Sequence, residues 1–375
     1  MTAVLPWVVL GLVLTGLVVL SLQVVAVGVW PPTQPASGHW PPVSILKPLY
    51  GDEPRLYECL RSFCVQDYPQ YEVVFGVRDP DDPAIASVER LRKEFPGRRL
   101  ALVVDPRLLG SNAKASNLAH IMGQAQHDIL VLADADIRVG PDYLKALAGP
   151  VQEEDVGVVT CLYRGFPIAG FWSRFATYFI HDWFVPQVLL ARLLGSQDFA
   201  FGATIALRRG VLTAIGGFEA LASQLADDYE LGARSRARGL RTVLSSYVVE
   251  TTVNEPGLSD LFWHQLRWLR TIRLINPWGY AFSWTTFGFP LSVVGAFWLT
   301  QPLAASLVFL ALLLRLMLHF RACGRLGTRP NPWLVPLADF WLSGLWVLGF
   351  LGQGVRWRGQ TLAVCADGSI RANRE

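Results

Sequence analysis

The chain of 375 residues carries a formal net charge of +3 and is 52% hydrophobic. This apolar composition excludes an ordinary soluble enzyme, and the near-neutral charge argues against a nucleic-acid-binding protein. The five cysteines are odd in number and form no Cys-x-x-Cys pair, which argues for a reducing compartment and against a disulfide framework or a zinc site. They are Cys59, Cys64, Cys161, Cys323 and Cys365.

An apolar segment opens the chain. The stretch "TAVLPWVVLGLVLTGLVVLSLQVVAVGVW" is long enough to span a bilayer, and it has neither a basic region before it nor a clear small-residue cleavage site. We therefore interpret residues 1–30 as a transmembrane anchor rather than a signal peptide. The proline-rich stretch "WPPTQPASGHWPP" then predicts a linker over residues 31–42.

Strands and helices alternate over residues 43–281. The segments "VSILKPLYG", "YEVVFGVRDPDDPA", "RLALVVDP" and "DILVLADAD" read as strands, and helical patterns separate them. This alternation predicts an α/β fold with a mostly parallel sheet. No Gly-x-Gly-x-x-Gly follows the first strand, so a dinucleotide-binding Rossmann site is not supported. We interpret the aromatic helix over residues 170–195 as interfacial, with a core helix as the alternative.

The C-terminal part is again membrane-like. Residues 282–355 predict a transmembrane region, and residues 356–375 a tail. The stretch 315–329 and the tail are both rich in arginine, and each indicates a cytoplasmic position. The two indications conflict if one span separates them, so either one segment is re-entrant or the first two do not form two full spans. The apolar segments are 282–300, 302–320 and 333–354, and the last contains Asp339.

The strand "DILVLADAD" ends in two aspartates, Asp134 and Asp136. If the backbone stays extended, both side chains face one side, and neighbouring carboxylates stay ionised readily only beside a cation such as Mg²⁺ or Mn²⁺. The carboxyl end of a parallel strand is also where ligands bind in α/β folds. Chance alone gives about one Asp-x-Asp in a chain of this length, and Asp79 opens a second. The motif therefore leaves a metal–diphosphate site and a plain turn both open.

Six motifs, taken in order, resemble the membrane-bound GT-A glycosyltransferases, most closely the ceramide glucosyltransferases and their bacterial relatives in hopanoid biosynthesis. The likeness implies a GT-A fold, which is Rossmann-like with a mostly parallel sheet, between N-terminal and C-terminal transmembrane helices. The wording of "FGATIALRR" and "LSSYVVETTV" is most similar to hopanoid enzymes that add N-acetylglucosamine to bacteriohopanetetrol. The six motifs are "VSILKPLYGDEP", "YEVVFGVRDPDDPAI", "DADIRVGPDYL", "FGATIALRRGVL", "GGFEALASQLADDYELG" and "HQLRW".

The resemblance also implies roles for single acidic residues. Asp134 and Asp136 match the metal–diphosphate motif, although the animal ceramide enzymes lack the second aspartate. Asp79 matches a uridine contact. Asp228 matches the general base of the family, which removes the proton of the acceptor hydroxyl. Its neighbour Asp227 we interpret as a helix cap.

His264, Arg267 and Trp268 match the family's Q/R-x-x-R-W element, which lies over the donor diphosphate. His264 departs from the Gln or Arg of that element, which puts in doubt any role that requires either residue. The chemistry of inverting transfer agrees with this assignment, because a departing diphosphate needs positive charge beside it. Arg267 suits phosphate oxygens, and Lys114 is a second candidate cation for the donor.

The resemblance therefore implies an inverting glycosyltransferase that moves a sugar, N-acetylglucosamine, from a UDP-sugar to the hydroxyl of a membrane lipid, a hopanoid. It implies a multi-pass protein of the bacterial inner membrane with a cytoplasmic catalytic domain over residues 43–281 and no nucleic-acid partner. Anchors at both ends would order the site against an insoluble acceptor. The alternatives are glucose transfer to ceramide, a processive polysaccharide synthase, and a non-catalytic nucleotide-sugar-binding membrane protein.

Overall fold

The chain divides into two compact units in the computed structural model. The first unit is drawn from residues 1–31, 164–196 and 253–356, and the second from residues 32–163, 197–252 and 357–375. The predicted domain boundaries divide the chain at other points and stay a prediction. Cys365, Arg358 and Arg374 lie outside the described residues, as does part of the predicted linker. The structure describes residues 4–32, 38–197, 199–352, 354–357, 360–364 and 370–372, the last three by backbone alone.

Helices and strands alternate through most of the chain. In order, they are α1 (Leu5–Val29), β1 (Val43–Pro48), α2 (Leu56–Cys64), β2 (Tyr71–Val77), α3 (Ala84–Glu94), β3 (Leu100–Val104), α4 (Ala113–Met122), β4 (Ile129–Leu132), β5 (Ile137–Arg138), α5 (Tyr143–Val151), β6 (Val156–Pro167), α6 (Gly170–Tyr178), α7 (Val185–Leu193), β7 (Ile205–Arg208), α8 (Arg209–Ala214), α9 (Asp227–Arg236), β8 (Arg241–Val253), α10 (Leu258–Ile275), α11 (Pro277–Phe282), α12 (Gly288–Gly295), α13 (Gln301–Leu326), α14 (Val335–Gly349), β9 (Gly354–Trp357), β10 (Gln360–Val364) and β11 (Ile370–Ala372).

The second unit is built on an eight-stranded sheet of order β3-β2-β1-β4-β7-β6-β8-β5. Strands β1 to β4 pair in parallel, whereas β7 is antiparallel to β4 and to β6, and β5 is antiparallel to β8. The predicted α/β fold is confirmed, with the difference that the sheet is mixed. Parallel pairing needs helical crossovers, which join β1, β2, β3 and β4, and the strands that follow reverse direction instead.

Both faces of this sheet are buried. Alternate residues of β1 point to opposite sides, so that Ile45 joins one core cluster and Leu46 the other. The first cluster contains residues of α2, α3 and α5, and the second contains residues of α4, α8 and α9. This layering leaves the carboxyl ends of the parallel strands as the edge where polar side chains gather.

Among its described residues, the first unit contains two helices long and apolar enough to cross a membrane, α1 and α13. Helix α1 packs closely on α12, because a Cβ atom on Gly16 would lie 3.0 Å from the Cα of Gly288. Arg321 of α13 donates to the carbonyl of Val24 at 3.2 Å, and Arg325 donates to a carbonyl at the end of α1. Arg325 therefore satisfies one of the orphan carbonyls of α1, and both arginines complement its helix dipole.

The predicted apolar segment 282–300 does not form one helix. It is broken into α11, a 3₁₀ turn at Ser283–Thr286 and the eight-residue α12. A new helix then starts with Pro302 in its first turn, where proline is favoured, and it continues to Leu326. The predicted loop over 315–329 is therefore mostly helical. The segment 282–300 is thus not one continuous helix, and both alternatives for the arginine conflict stay predictions.

The prediction of an interfacial helix over 170–195 is wrong. The segment forms α6, a π-helical turn at Phe179–Phe184 and α7, and most of its aromatic and aliphatic side chains are buried within the first unit. His181 is also buried, and its Nε2 accepts the amide proton of Gly165 at 2.9 Å. The aromatic residues are part of a protein core, because the segment packs against α1 through α7. Helix α1 thus covers an apolar surface that would face lipid if the helix were isolated.

A buried ionic cluster explains how Asp339 is tolerated in an apolar helix. The Nε of Arg315 donates to both carboxylate oxygens of Asp339 at 2.7 Å, and its Nη1 donates to Asp182 at 3.4 Å. The Nδ1 of His319 lies 2.9 Å from Asp182, and its Nε2 accepts the amide proton of Asn331, which places the imidazole proton on Nδ1. These four ionisable side chains are only 1–6% exposed, so each charge depends on its partners.

Candidate active site

The Asp134–Asp136 segment is a turn rather than extended strand. Strand β4 ends at Leu132, and the amide of Ile137 donates to the carbonyl of Asp134 at 3.3 Å. The Asp134 side chain is 38% exposed, whereas Oδ2 of Asp136 accepts a hydrogen bond from Thr251 at 2.5 Å. Burial, together with the charge of Asp134, raises the pKa of Asp136. The premise that both side chains face one side of an extended strand is therefore not met.

Lys114 forms ion pairs with two of the acidic residues, Asp134 and Asp227. It lies in the first turn of α4, which Asn112 caps. Its Nζ lies 2.6 Å from Oδ1 of Asp134 and 3.6 Å from Oδ2 of Asp227. Burial lowers the pKa of Lys114, but the charges of Asp134, Asp227 and Asp228 outweigh it and raise the pKa. The lysine is therefore held as a cation among carboxylates.

Asp228 is the acidic residue with the most unusual ionisation. Its Oδ1 accepts the amide proton of Tyr229 at 2.8 Å, and its Oδ2 accepts that of Gly202 at 2.8 Å. Burial, together with the charge of Asp227, raises the pKa of Asp228 to about 6. A carboxylate that titrates close to neutral pH has the proton affinity that general-base catalysis requires.

These side chains converge on Gly202. A Cβ atom at this position would lie 3.0 Å from Oδ2 of Asp134, 3.0 Å from Nζ of Lys114 and 3.3 Å from Oδ2 of Asp228. The absence of a side chain at Gly202 therefore keeps the space between the charged groups open. The cleft that they share is lined by Pro48, Lys114, Leu118, Leu132, Ala133, Asp134, Gly202, Ile205, Phe218, Leu221, Asp227, Asp228 and Leu231.

Lys47 supports the acidic turn from behind and was missed by the sequence analysis. Its side chain is fully buried, and its Nζ donates to the carbonyl of Asp134 and lies 4.0 Å from the centre of the Phe63 ring. Burial lowers the pKa of Lys47 to about 8. Cys59 also donates to the carbonyl of Asp136, at 3.4 Å. A lysine inside the apolar strand "VSILKPLYG" was the signal that could have revealed this support.

Asp79 lies just beyond the end of β2, where it organises a local turn. Its Oδ1 accepts the amide proton of Asp81 at 2.9 Å, and its carbonyl accepts that of Asp82 at 3.1 Å. Asp82 is buried and accepts the amide protons of Gly51 and Ala84. Asp79 thus follows the end of a parallel strand, as Asp134 does. Its predicted contact with uridine stays a prediction.

His264, Arg267 and Trp268 lie together on α10 in the first unit. The Nδ1 of His264 is hydrogen-bonded to the buried carboxylate of Glu255, and its ring meets that of Trp268 edge-on at 4.5 Å. The carbonyl of Arg267 accepts a proton from Thr271 at 2.9 Å. A buried acidic partner for the histidine was not foreseen. The role of this element over a diphosphate stays a prediction.

The mixed sheet, with its parallel half and the acidic turn after β4, has the arrangement of the GT-A fold. The chain superposes on a mannosyltransferase from Pyrobaculum calidifontis, solved in complex with GDP-Man and Mn²⁺, with a TM-score of 0.60. The alignment covers 94% of this chain and 98% of that one at 18% identity, so the likeness concerns the fold alone.

The chain belongs to Glycosyl transferase family 21, which it matches over residues 8–370. It is 26% identical to ceramide glucosyltransferase 1 of Caenorhabditis elegans over 208 residues, which is 55% of this chain and 44% of the relative. It is 27% identical to ceramide glucosyltransferase 3 of the same organism over 238 residues, or 61% and 50% of the two chains. The chain thus spans about half the length of these curated relatives.

Proposed function

We propose that this protein is an inverting glycosyltransferase that transfers a sugar from a UDP-sugar to the hydroxyl group of a membrane lipid. The observation that carries the proposal is the cluster of Lys114, Asp134 and Asp228 around Gly202 at the end of a parallel strand. It combines a carboxylate of raised proton affinity with a cation, which are the two groups that displacement of a nucleoside diphosphate requires.

In this mechanism Asp228 accepts the proton of the lipid hydroxyl. The hydroxyl oxygen attacks the anomeric carbon of the sugar at the same time, and the bond from that carbon to the diphosphate breaks. The amide of Gly202 and that of Tyr229 hold the Asp228 carboxylate in place. Lys114 would offset the charge that develops on the diphosphate, and we keep Arg267, Trp268 and His264 as donor-binding residues from the family motif.

A divalent cation, Mg²⁺ or Mn²⁺, fits the oxygen donors of this cluster. Asp134 presents a partly exposed carboxylate, which in this structure is paired with the Lys114 ammonium at 2.6 Å. Asp136 would add a second oxygen, and hard divalent ions complete their coordination with water and phosphate oxygens. Within residues 4–352 as described, no group of three or more His, Cys, Asp and Glu side chains is arranged to hold a metal. When bound, the ion would stabilise the leaving diphosphate.

For the finer identity we propose N-acetylglucosamine as the sugar and a hopanoid, bacteriohopanetetrol, as the acceptor. The motifs "FGATIALRR" and "LSSYVVETTV" support this choice. The second candidate is transfer of glucose to ceramide, which is favoured by the names of the two Caenorhabditis elegans relatives. Both candidates keep the same base, and they differ in the pockets for one sugar substituent and for the lipid.

We further propose that the protein lies in the bacterial inner membrane as a multi-pass protein with a cytoplasmic catalytic domain. Helices α1 and α13 support membrane association by their length and apolar composition. A bilayer-embedded acceptor presents its hydroxyl groups at the membrane surface, so an anchored active site would hold the two reactants together.

The products of four reactions would test the identity of both substrates. Purified protein in detergent with Mn²⁺ is offered UDP-N-acetylglucosamine or UDP-glucose, each with a hopanoid polyol or with ceramide, and the lipids are analysed by mass spectrometry. We expect an N-acetylhexosamine on the hopanoid. A hexose on ceramide would replace the finer proposal with the second candidate, and no glycolipid from any pair would contradict the proposed acceptor classes.

Gly202→Ala is expected to lower kcat at least tenfold without loss of folding. The new methyl group would fill the space between Asp134, Lys114 and Asp228, whereas the backbone of Gly202 lies outside the left-handed region and tolerates alanine. The matched control is Gly210→Ala, because a Cβ atom there meets nothing within 4 Å. Steady-state kinetics of both variants would check the prediction, and equal kcat values for the two variants would contradict it.

Activity should decrease in mild acid. The base must be ionised, and because the pKa of Asp228 is raised to about 6, kcat/KM should fall about tenfold per pH unit below that value. The measurement is a kcat/KM profile between about pH 4.5 and pH 8, with UDP-sugar binding followed over the same range as a control. A profile that stays flat down to the ordinary carboxylate pKa of about 4 would exclude Asp228 as a base of raised pKa.

A further inference from the structure

Lys47 combines complete burial with few interactions. Its strand, β1, pairs with β4 so that Leu46 lies opposite Leu132, which brings the lysine level with the start of the acidic turn. Within the described part of the chain, its ammonium has one hydrogen-bond acceptor, the carbonyl of Asp134, and otherwise faces the Phe63 ring. Asp134, Asp136 and Glu53 also favour the charged form through their charges, but a fully buried ammonium with one hydrogen bond is still costly, so a role in stability alone does not explain this lysine.

The backbone of the turn is held at two points. Lys47 and Ile137 donate to the carbonyl of Asp134. Thr252 donates its amide proton to the carbonyl of Asp136 at 3.2 Å. Of the two groups that hold the Asp134 carbonyl, Lys47 is the one that uses its side chain. The Asp134 carboxylate itself points toward Lys114. Lys47 thus contacts the backbone of the same residue whose carboxylate pairs with Lys114.

We infer that Lys47 is a positioning residue, whose ammonium fixes the carbonyl of Asp134 so that the turn presents the Asp134 carboxylate to a divalent cation and the donor diphosphate. The inference rests on the proposed function, because it assumes that this carboxylate binds a cation. Lys47 touches neither substrate nor metal in this role and acts through the backbone of the turn.

A role of Lys47 through its charge and a role through positioning of Asp134 predict opposite changes in the affinity for a divalent cation. If Lys47 acted only through its charge, its removal would relieve repulsion and strengthen the binding of a divalent cation. If it positions Asp134, its removal would weaken binding, because the carboxylate would no longer be held in the binding geometry. The direction of the change in metal affinity therefore distinguishes the two roles, independently of turnover.

The test uses the full-length protein in detergent with UDP and no acceptor, and measures Mn²⁺ binding by electron paramagnetic resonance. We expect Lys47→Met to raise the Kd for Mn²⁺ at least tenfold, while the thermal unfolding temperature stays equal or rises, because a buried charge has been removed. Lys47→Arg, which keeps the charge and the donors, should restore part of the affinity. The matched control is Lys145→Met, since Lys145 is partnered by Asp67 at the surface of the same unit.

Unchanged or tighter Mn²⁺ binding by Lys47→Met would overturn the inference. A lower unfolding temperature with the same Kd would also overturn it, because the lysine would then be merely structural. Loss of folding in Lys47→Met would shift the test to Lys47→Arg, which keeps the charge but changes the shape of the donor. A Kd weaker than that of wild type and Lys145→Met at full thermal stability would then support the inference, and an equal Kd would contradict it. Wild-type protein that binds no Mn²⁺ with UDP would reject the proposed metal site itself, which is a distinguishable failure.

Discussion

Replacing Asp228 by asparagine should lower kcat by about 10²–10⁴-fold, the usual contribution of a general base. Asparagine keeps the size of the side chain and one acceptor oxygen, but it cannot take the proton of the acceptor hydroxyl. Each oxygen of the partly buried Asp228 carboxylate accepts one amide proton, so asparagine keeps one of these hydrogen bonds and loses the other. Because other residues make the proposed contacts with the donor, the affinity for the UDP-sugar should stay close to that of the wild type, and the loss should appear in kcat.

The measurement is glycolipid formation at saturating donor, combined with donor binding by isothermal titration calorimetry. Asp142→Asn is the matched control, because Asp142 is exposed in the same unit and its side chain does not cap the helix that follows. Turnover by Asp228→Asn within a few fold of this control would show that another group takes the proton. Loss of donor binding together with kcat would point instead to a role in holding the site together.

Arg315→Met should destabilise the first unit by about 3–5 kcal/mol, the usual effect of leaving buried charges without a partner. The substitution removes the donor that bonds to both oxygens of Asp339 and also reaches Asp182. Asp182 keeps His319 beside it, whereas among the described residues Asp339 has no ion-pair partner other than Arg315. Thermal unfolding in detergent, followed by circular dichroism, would measure the loss.

The double variant Arg315→Met with Asp339→Leu is the informative control for this prediction. It removes both members of the buried pair and leaves the Asp182–His319 pair intact, so it should recover much of the stability that the single variant loses. A single variant as stable as the wild type would contradict the assignment of Arg315 as the cation that neutralises Asp339. A double variant less stable than the single one would show that packing, rather than charge, dominates.

The sheet of the second unit could be predicted because its signals are local. Apolar runs such as "DILVLADAD" end where the strands end, and the alternation of strand and helix is typical of parallel pairing. The antiparallel half was not foreseen, since strand direction depends on how the chain returns to the sheet and leaves little trace in periodicity. Burial of the 170–195 segment was missed for a related reason, because an aromatic face packed on α1 has the same composition as one packed on lipid.

The acidic residues of the candidate site could be proposed from the sequence, whereas the turn and the contacts that support them could not. Asp134, Asp136 and Asp228 stand out beside apolar or capping positions, and the structure places Asp134 and Asp228 around Gly202. The turn at Asp134 and the support from Lys47 depend on contacts between residues that are far apart in sequence. No spacing rule reports such contacts, so the premise of an extended Asp-x-Asp pair was reasonable but not met.

UDP release is the measurement that tests the central claim most directly. Wild-type protein in lipid bilayers would be given a UDP-sugar, Mn²⁺ and the lipid acceptor, and UDP and glycolipid would be counted together. We expect UDP to appear only when all three are present, with one glycolipid formed for each UDP, and chelation of the metal to stop both. A protein that binds the UDP-sugar but releases no UDP with any lipid hydroxyl would contradict it and would indicate a binding role instead.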